Sequence, residues 1–180
     1  MKIFVMVASL AVFTGCAEKN PPCQPLAAER GMKIVRLGAF DMRMPAGWRD
    51  VSMKSGDCCS FIYTDPARPG PQEVGREWLG DFQIDLYDTS EPLALLNTHV
   101  QRFRELTVAE NRVQLFLAGE NPLAIVKVFE EPSPATYAFR SMRVPGRGCS
   151  ILFIGAFATM GEARQVAEGL AVAPACDSAD

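Results

Sequence analysis

Histidine is nearly absent from this sequence: His99 is the only one in 180 residues. A metal site built on imidazole therefore has one candidate ligand, and Cys58-Cys59 lacks the two-residue gap of a zinc knuckle, so no metal is expected. Clustered basic residues are missing too, and nucleic-acid binding, which rests on phosphate neutralisation by grouped Lys and Arg, has no support. No apolar run reaches the roughly 20 residues that cross a bilayer. The sequence also lacks a Gly-x-Ser-x-Gly elbow, a phosphate loop, a dinucleotide fingerprint, a haem attachment motif and a carboxylate-rich calcium loop, so no cofactor is expected.

What is present begins with a leader. Lys2 precedes an apolar run from Ile3 to Phe13, too short for a membrane helix and laid out as a secretory signal peptide over 1–15. Phe13-Thr14-Gly15-Cys16 resembles a bacterial lipobox, which implies cleavage before Cys16 and acylation of its thiol, with palmitate among the chains. Each buried CH₂ contributes about 0.8 kcal/mol, and several chains on one cysteine give a stable anchor. Ala17 in place of Asp resembles the sorting pattern of outer-membrane lipoproteins, so the expected location is the cell envelope, on the outer membrane with the domain in the periplasm. Pro21, Pro22 and Pro25 then stiffen a tether within 16–36.

The mature chain carries 17 basic against 21 acidic residues and has one domain's length. Its remaining cysteines are Cys23, Cys58, Cys59, Cys149 and Cys176. An oxidising compartment lets some pair, and five is an odd number, so one stays a thiol or pairs between chains. Neighbours in a strand point to opposite faces, so one of Cys58 and Cys59 is expected to reach Cys149; Cys23 with Cys176 would tie the two tails together. Sequence leaves the connectivity open.

Both secondary-structure periods are legible. Phe40, Met42 and Met44 alternate with Asp41 and Arg43 and predict a strand, followed by a turn at Pro45-Ala46-Gly47 into Trp48. Further strands are expected at 59–63 and at Phe82, Ile84 and Leu86, the latter with a polar solvent face. Between them, 65–80 reads as a Pro/Gly-rich loop. Ser90-Glu91-Pro92 predicts a helix start with Ser90 as cap, and Leu93, Leu96, Val100 and Phe103 form its apolar stripe. Strands follow near 113–117, 123–129, 137–144 and 149–157, joined by turns at 119–122 and 145–148. Thr159-Met160-Gly161-Glu162 is a capping box opening a last helix, with Ala163, Val166, Ala167 and Leu170 inward.

This order predicts an α+β fold: an antiparallel, twisted sheet of about six strands with helices packed on it. The phrase from Phe40 to Trp48, with its strand ending in Pro-x-Gly-Trp, resembles the PsbP-like superfamily, which includes bacterial envelope lipoproteins. The resemblance covers about Leu37 to Val172 and implies an α/β sandwich, non-catalytic and used to bind proteins. The domain is accordingly placed at 37–173, with a tail over 174–180.

The expected function is a non-catalytic protein-binding module. Trp48 and Trp78 stand outside the core periodicity, and Trp78 with Arg76 beside it has the composition of an interface hot spot, although plugging the edge of the core is the simpler role for a tryptophan. Glu73, Glu77 and Arg147 complete the candidate contact residues, on the 65–80 loop and the 145–148 hairpin. An alternative is an immunity lipoprotein that plugs a secreted (type VI-type) toxin with the acidic loop residues Glu73, Glu77 and Asp81. A second alternative is a hydrolase with His99 as base, for which no local motif nominates a nucleophile.

Overall fold

In β2 (Phe40–Pro45), Phe40, Met42 and Met44 are buried and Asp41 and Arg43 are half-buried, the alternation written in the sequence. The computed structural model describes residues 24–51, 60–67, 82–107, 110–116, 121–129 and 135–176. The leader, Cys16, Cys23, Cys58, Cys59, Glu73, Arg76, Glu77, Trp78 and the last four residues lie outside them.

Seven strands form the main sheet in the order β3 (Arg49–Asp50), β4 (Ser60–Thr64), β5 (Phe82–Tyr87), β9 (Ser150–Phe157), β8 (Ala135–Arg143), β7 (Leu123–Val128) and β6 (Asn111–Phe116). All neighbours pair antiparallel. A second sheet has the order β1 (Met32–Leu37), β2 and β10 (Ala171–Pro174). The fold is α+β with antiparallel strands, as expected, but the single sheet of about six strands is replaced by two sheets of seven and three. The extra strands move the domain's limits. β1 lies mostly inside the stretch assigned to the tether, and β10 runs past the expected end at 173.

The main sheet is covered on both faces. On one, Phe82, Ile84, Ile151 and Phe153 pack with Met42, Met44 and Trp48 of the small sheet's side and with Ala163 and Ala167 of α2 (Met160–Gly169). On the other, Leu96 and Val100 of α1 (Pro92–Leu106) pack on Ala124, Val126, Phe139, Leu152 and Ile154. The polar solvent face expected of β5 is therefore a margin: Gln83 and Asp85 are half-buried beside the part of the sheet that α1 covers.

Each helix start has a local cause. At α2, the Thr159 hydroxyl accepts from the Glu162 N–H at 3.2 Å, the expected cap. At α1 the cap is Glu91 and not Ser90, and it makes no side-chain cap bond. Pro92 holds the preceding residue out of the helical region, so helical geometry begins at Pro92 and the cap is the residue just before it. Leu93 is 44% exposed, and Leu95 packs against the core in its place. The C-terminus of α2 is closed by two cations. Arg140 donates to the carbonyls of Ala167 and Leu170, and Arg43 Nε donates to Gly169 O at 3.2 Å.

Trp48 corrects another expectation, since it is 2% exposed and stacks on Phe82 with centroids 3.8 Å apart. Beside it, Tyr63 is buried, and its hydroxyl has no hydrogen-bond partner among the described residues. Burial, with Asp50 adding to it, pushes the Tyr63 hydroxyl up to about 12. Cys149 is a buried thiol at the base of the β8–β9 turn. Cys176, just past β10, is disulfide-bonded.

Candidate interaction surface

Arg147 is the one nominated contact residue within the described segments. It is half-buried in the β8–β9 turn, which Gly146 closes with φ of 68°. The expected contact edge combined this turn with the 65–80 loop. The register separates their anchors: Tyr87 pairs with Ser150 near the turn, whereas Tyr63 pairs with Phe82, where the loop joins the sheet. Those positions sit at opposite ends of β5, about 17 Å apart at roughly 3.4 Å per residue.

His99 projects from α1 beside the sheet margin. Its ring meets the Tyr87 ring edge-on at 5.1 Å. Nearby, Asp85 accepts from Ser60 Oγ at 2.6 Å and from Gln83 Nε2 at 2.8 Å. The serine hydroxyl thus gives its hydrogen to the carboxylate, and no hydroxyl-to-imidazole hydrogen bond joins His99 to a nucleophile among the described residues. Burial lowers the His99 pKa below its usual value; Asp85 opposes that shift and Arg102 reinforces it.

This shift has a sign that can be tested. Between the lowered folded pKa and about 6.5, the unfolded chain binds the proton that folded His99 gives up. The stability that His99 contributes is therefore present above about pH 6.5 and is lost as pH falls through the folded value. Urea midpoints at pH 7.5 and 5.5 are expected to fall further on acidification in the wild-type chain than in His99→Gln, because other titrations cancel in the difference. Equal pH dependence in the two proteins would contradict this assignment.

The other flank of α1 meets β6, which is, with β3, an outer strand of the main sheet. Asn97, Val100, Gln101 and Arg104 from α1 and Val113 and Leu115 from β6 line an open groove of about 430 Å³. Val113 and Leu115 stand opposite Val126 and Ala124, which sets them on the α1 face. Leu115 is 50% exposed.

The phase of the ladder fixes which backbone groups face outward. Phe129 N–H donates to Glu110 O at 2.8 Å, so that pair is hydrogen-bonded, and alternation makes Arg112/Lys127, Gln114/Ile125 and Phe116/Leu123 hydrogen-bonded as well. The N–H and C=O groups of Val113 and Leu115 consequently point away from β7.

Cations frame this edge on both faces. In the groove, Arg104 Nε donates to Asn111 Oδ1 at 3.0 Å. On the reverse face, Arg112 and Lys127 both lie over the Phe129 ring, at 5.2 and 5.3 Å. Arg112 is 76% exposed and meets Glu110 at 3.6 Å. Arg164 of α2 covers the Phe116 ring at 4.5 Å.

The sequence contains every residue of this surface and still hides it. Edge position depends on strand order, and the chain crosses from β5, third in the sheet, to β6, seventh, by way of α1. The half-polar alternation of β6 beside the continuous apolar run of β7 was the available signal.

No family model matches the chain, and no curated protein does. Among solved structures, the chain is similar to a protein from Bacteroides thetaiotaomicron VPI-5482, at 16% identity and a TM-score of 0.45. That match covers 78% of this chain and 47% of the other, so the chain spans less than half of that protein. It is also similar to the Saccharomyces cerevisiae Ran-binding protein Mog1p, at 18% identity and a TM-score of 0.45, over 77% of this chain and 83% of that one. A point mutant of protein Mog1 is similar at 18% identity and a TM-score of 0.46, over 77% of this chain and 84% of that one.

Proposed function

We propose that this chain is an envelope lipoprotein whose α+β domain binds another protein and catalyses no reaction. Cys16 carries the lipid, and the domain stands off the outer membrane in the periplasm. The lipobox-like Phe13-Thr14-Gly15-Cys16 supports the anchor, and the disulfide at Cys176 supports an oxidising compartment. The observation that carries the binding reading is the α1–β6 surface, where a groove with Val100, Val113 and Leu115 among its lining residues borders an outer strand with outward-facing backbone groups.

Two measurements test it. Labelled palmitate is expected to enter the wild-type chain and not Cys16→Ser; no label in either overturns the anchor. A photo-crosslinking residue at position 115 is expected to capture an envelope protein, while the same residue at position 160, where Met160 is 40% exposed on α2, captures none. Equal yields at the two positions, or none at either, overturn the assignment of this surface.

A further inference from the structure

Outer strands invite pairing with other chains, and folded proteins usually blunt them with short length, proline or inward-pointing charge. Among the described residues, three of the four outer strands carry such a device. β3 is two residues long, and β10 is four residues long and ends in Pro174. β1 turns Lys33 inward, where its ammonium donates to Trp48 O. β6 is six residues long, has neither proline nor an inward charge, and borders the groove under α1.

From this contrast we infer that β6 is a strand-addition site for an extended peptide segment of alternating apolar and acidic residues. The inference rests on the binding reading above and narrows it to one mode. A strand laid against β6 pairs with the outward N–H and C=O groups of Val113 and Leu115. Its side chains alternate between the two faces of the sheet. One set enters the α1 groove beside Val113, Leu115 and Val100. The other falls on the reverse face beside Arg112, where Lys127 lies near. The chain as a whole carries a net charge of −3, so Arg112 and Lys127 on the reverse face run against the overall charge and select acidic residues on the second set.

The probe is a capped heptapeptide, Val-Glu-Val-Glu-Val-Glu-Val, added to the full chain, with a counterpart in which lysine replaces glutamate. Amide hydrogen exchange supplies a readout that general stickiness does not reproduce. The outward amides of Val113 and Leu115 are expected to exchange fast in the unbound protein and to slow at least tenfold with the acidic peptide. The Gln114 amide, already in the β6–β7 ladder, stays slow throughout. The lysine peptide is expected to bind at least tenfold more weakly. Val113→Pro removes one outward N–H without breaking the ladder to β7 and is expected to weaken the acidic peptide at least tenfold.

No protection at Val113 and Leu115 with saturating acidic peptide, protection confined to other strands, or equal affinity for the two peptides overturns the inference. The two levels separate through the position-115 crosslink. If Val113→Pro keeps the crosslinked envelope protein at wild-type yield, strand addition fails while the binding surface stands; if the unaltered chain gives no crosslink, the binding reading itself fails.

Discussion

Gly155→Ala is expected to destabilise the domain by about 3 kcal/mol or more, at the upper end of what overpacking of a core costs. Gly155 lies in β9 opposite Phe82, with Phe153 and Phe157 two residues away on either side of it on the same face. A Cβ there would stand 2.6 Å from Phe153 Cζ, 2.8 Å from Phe157 Cε2 and 2.9 Å from Phe82 Cδ1. None of these rings can swing into solvent, since Phe82, Phe153 and Phe157 are 1%, 0% and 6% exposed. Nor can they slide easily: Phe82 is stacked on Trp48 at 3.8 Å and meets Phe157 at 5.6 Å. Glycine is needed here for space, because the three rings close over its backbone and replace the missing side chain. Urea unfolding checks the magnitude, and thermal unfolding is expected to shift down by about 6–12 °C for a chain of this size. Trimming a ring supplies the control. Phe157→Leu in the Gly155→Ala background should cost less than the two single changes together, the non-additivity of neighbours that compete for one volume. A loss under about 1 kcal/mol for Gly155→Ala would mean that the rings yield, against the packing described.

That cluster shows how much the sequence disclosed. The alternation of Phe40, Met42 and Met44 and the capping pair Thr159 and Glu162 are local, and both were legible because a few consecutive residues determine them. The strands that were missed, β1 and β10, have no such local signature. Lys33 sits at an inward position of β1, and β10 is four residues ending in proline; both gain their structure by pairing with β2. The second covered face of the main sheet was foreshadowed in β7, where Leu123, Ala124, Ile125 and Val126 are all buried in succession. The candidate surface was the least legible part. Val113 and Leu115 become edge residues only through the strand order, and no residue near them in sequence announces that order.

Trp48→Ala is expected to cost about 4 kcal/mol, within the roughly 3–5 kcal/mol range for removing a buried large aromatic side chain. The Pro45-Ala46-Gly47 turn, closed by Trp48 N–H donating to Pro45 O at 3.2 Å, delivers the indole into the core. There it stacks on Phe82 with an interplanar angle of 14°, lies 5.8 Å from Phe153, and is 6.5 Å from Tyr63. Truncation leaves a void bounded by aromatic rings that hold one another in place, so the cavity cannot collapse cheaply. The main-chain carbonyl of Trp48 also accepts from the Lys33 ammonium, so a shifted turn would leave that half-buried cation short of a hydrogen bond. Against a typical total stability of 5–15 kcal/mol, the loss is large enough to leave a marginal domain partly unfolded at 37 °C. Trp48→Phe keeps a stacking ring and is expected to recover about half of the loss. The same variant separates structure from recognition. Trp48 packs on the face of the sheet opposite α1, so the folded fraction of Trp48→Phe should protect Val113 and Leu115 with the acidic peptide as the wild-type chain does. A Trp48→Phe protein of near wild-type stability that no longer binds the peptide would place the tryptophan in the contact surface and overturn its assignment to the core.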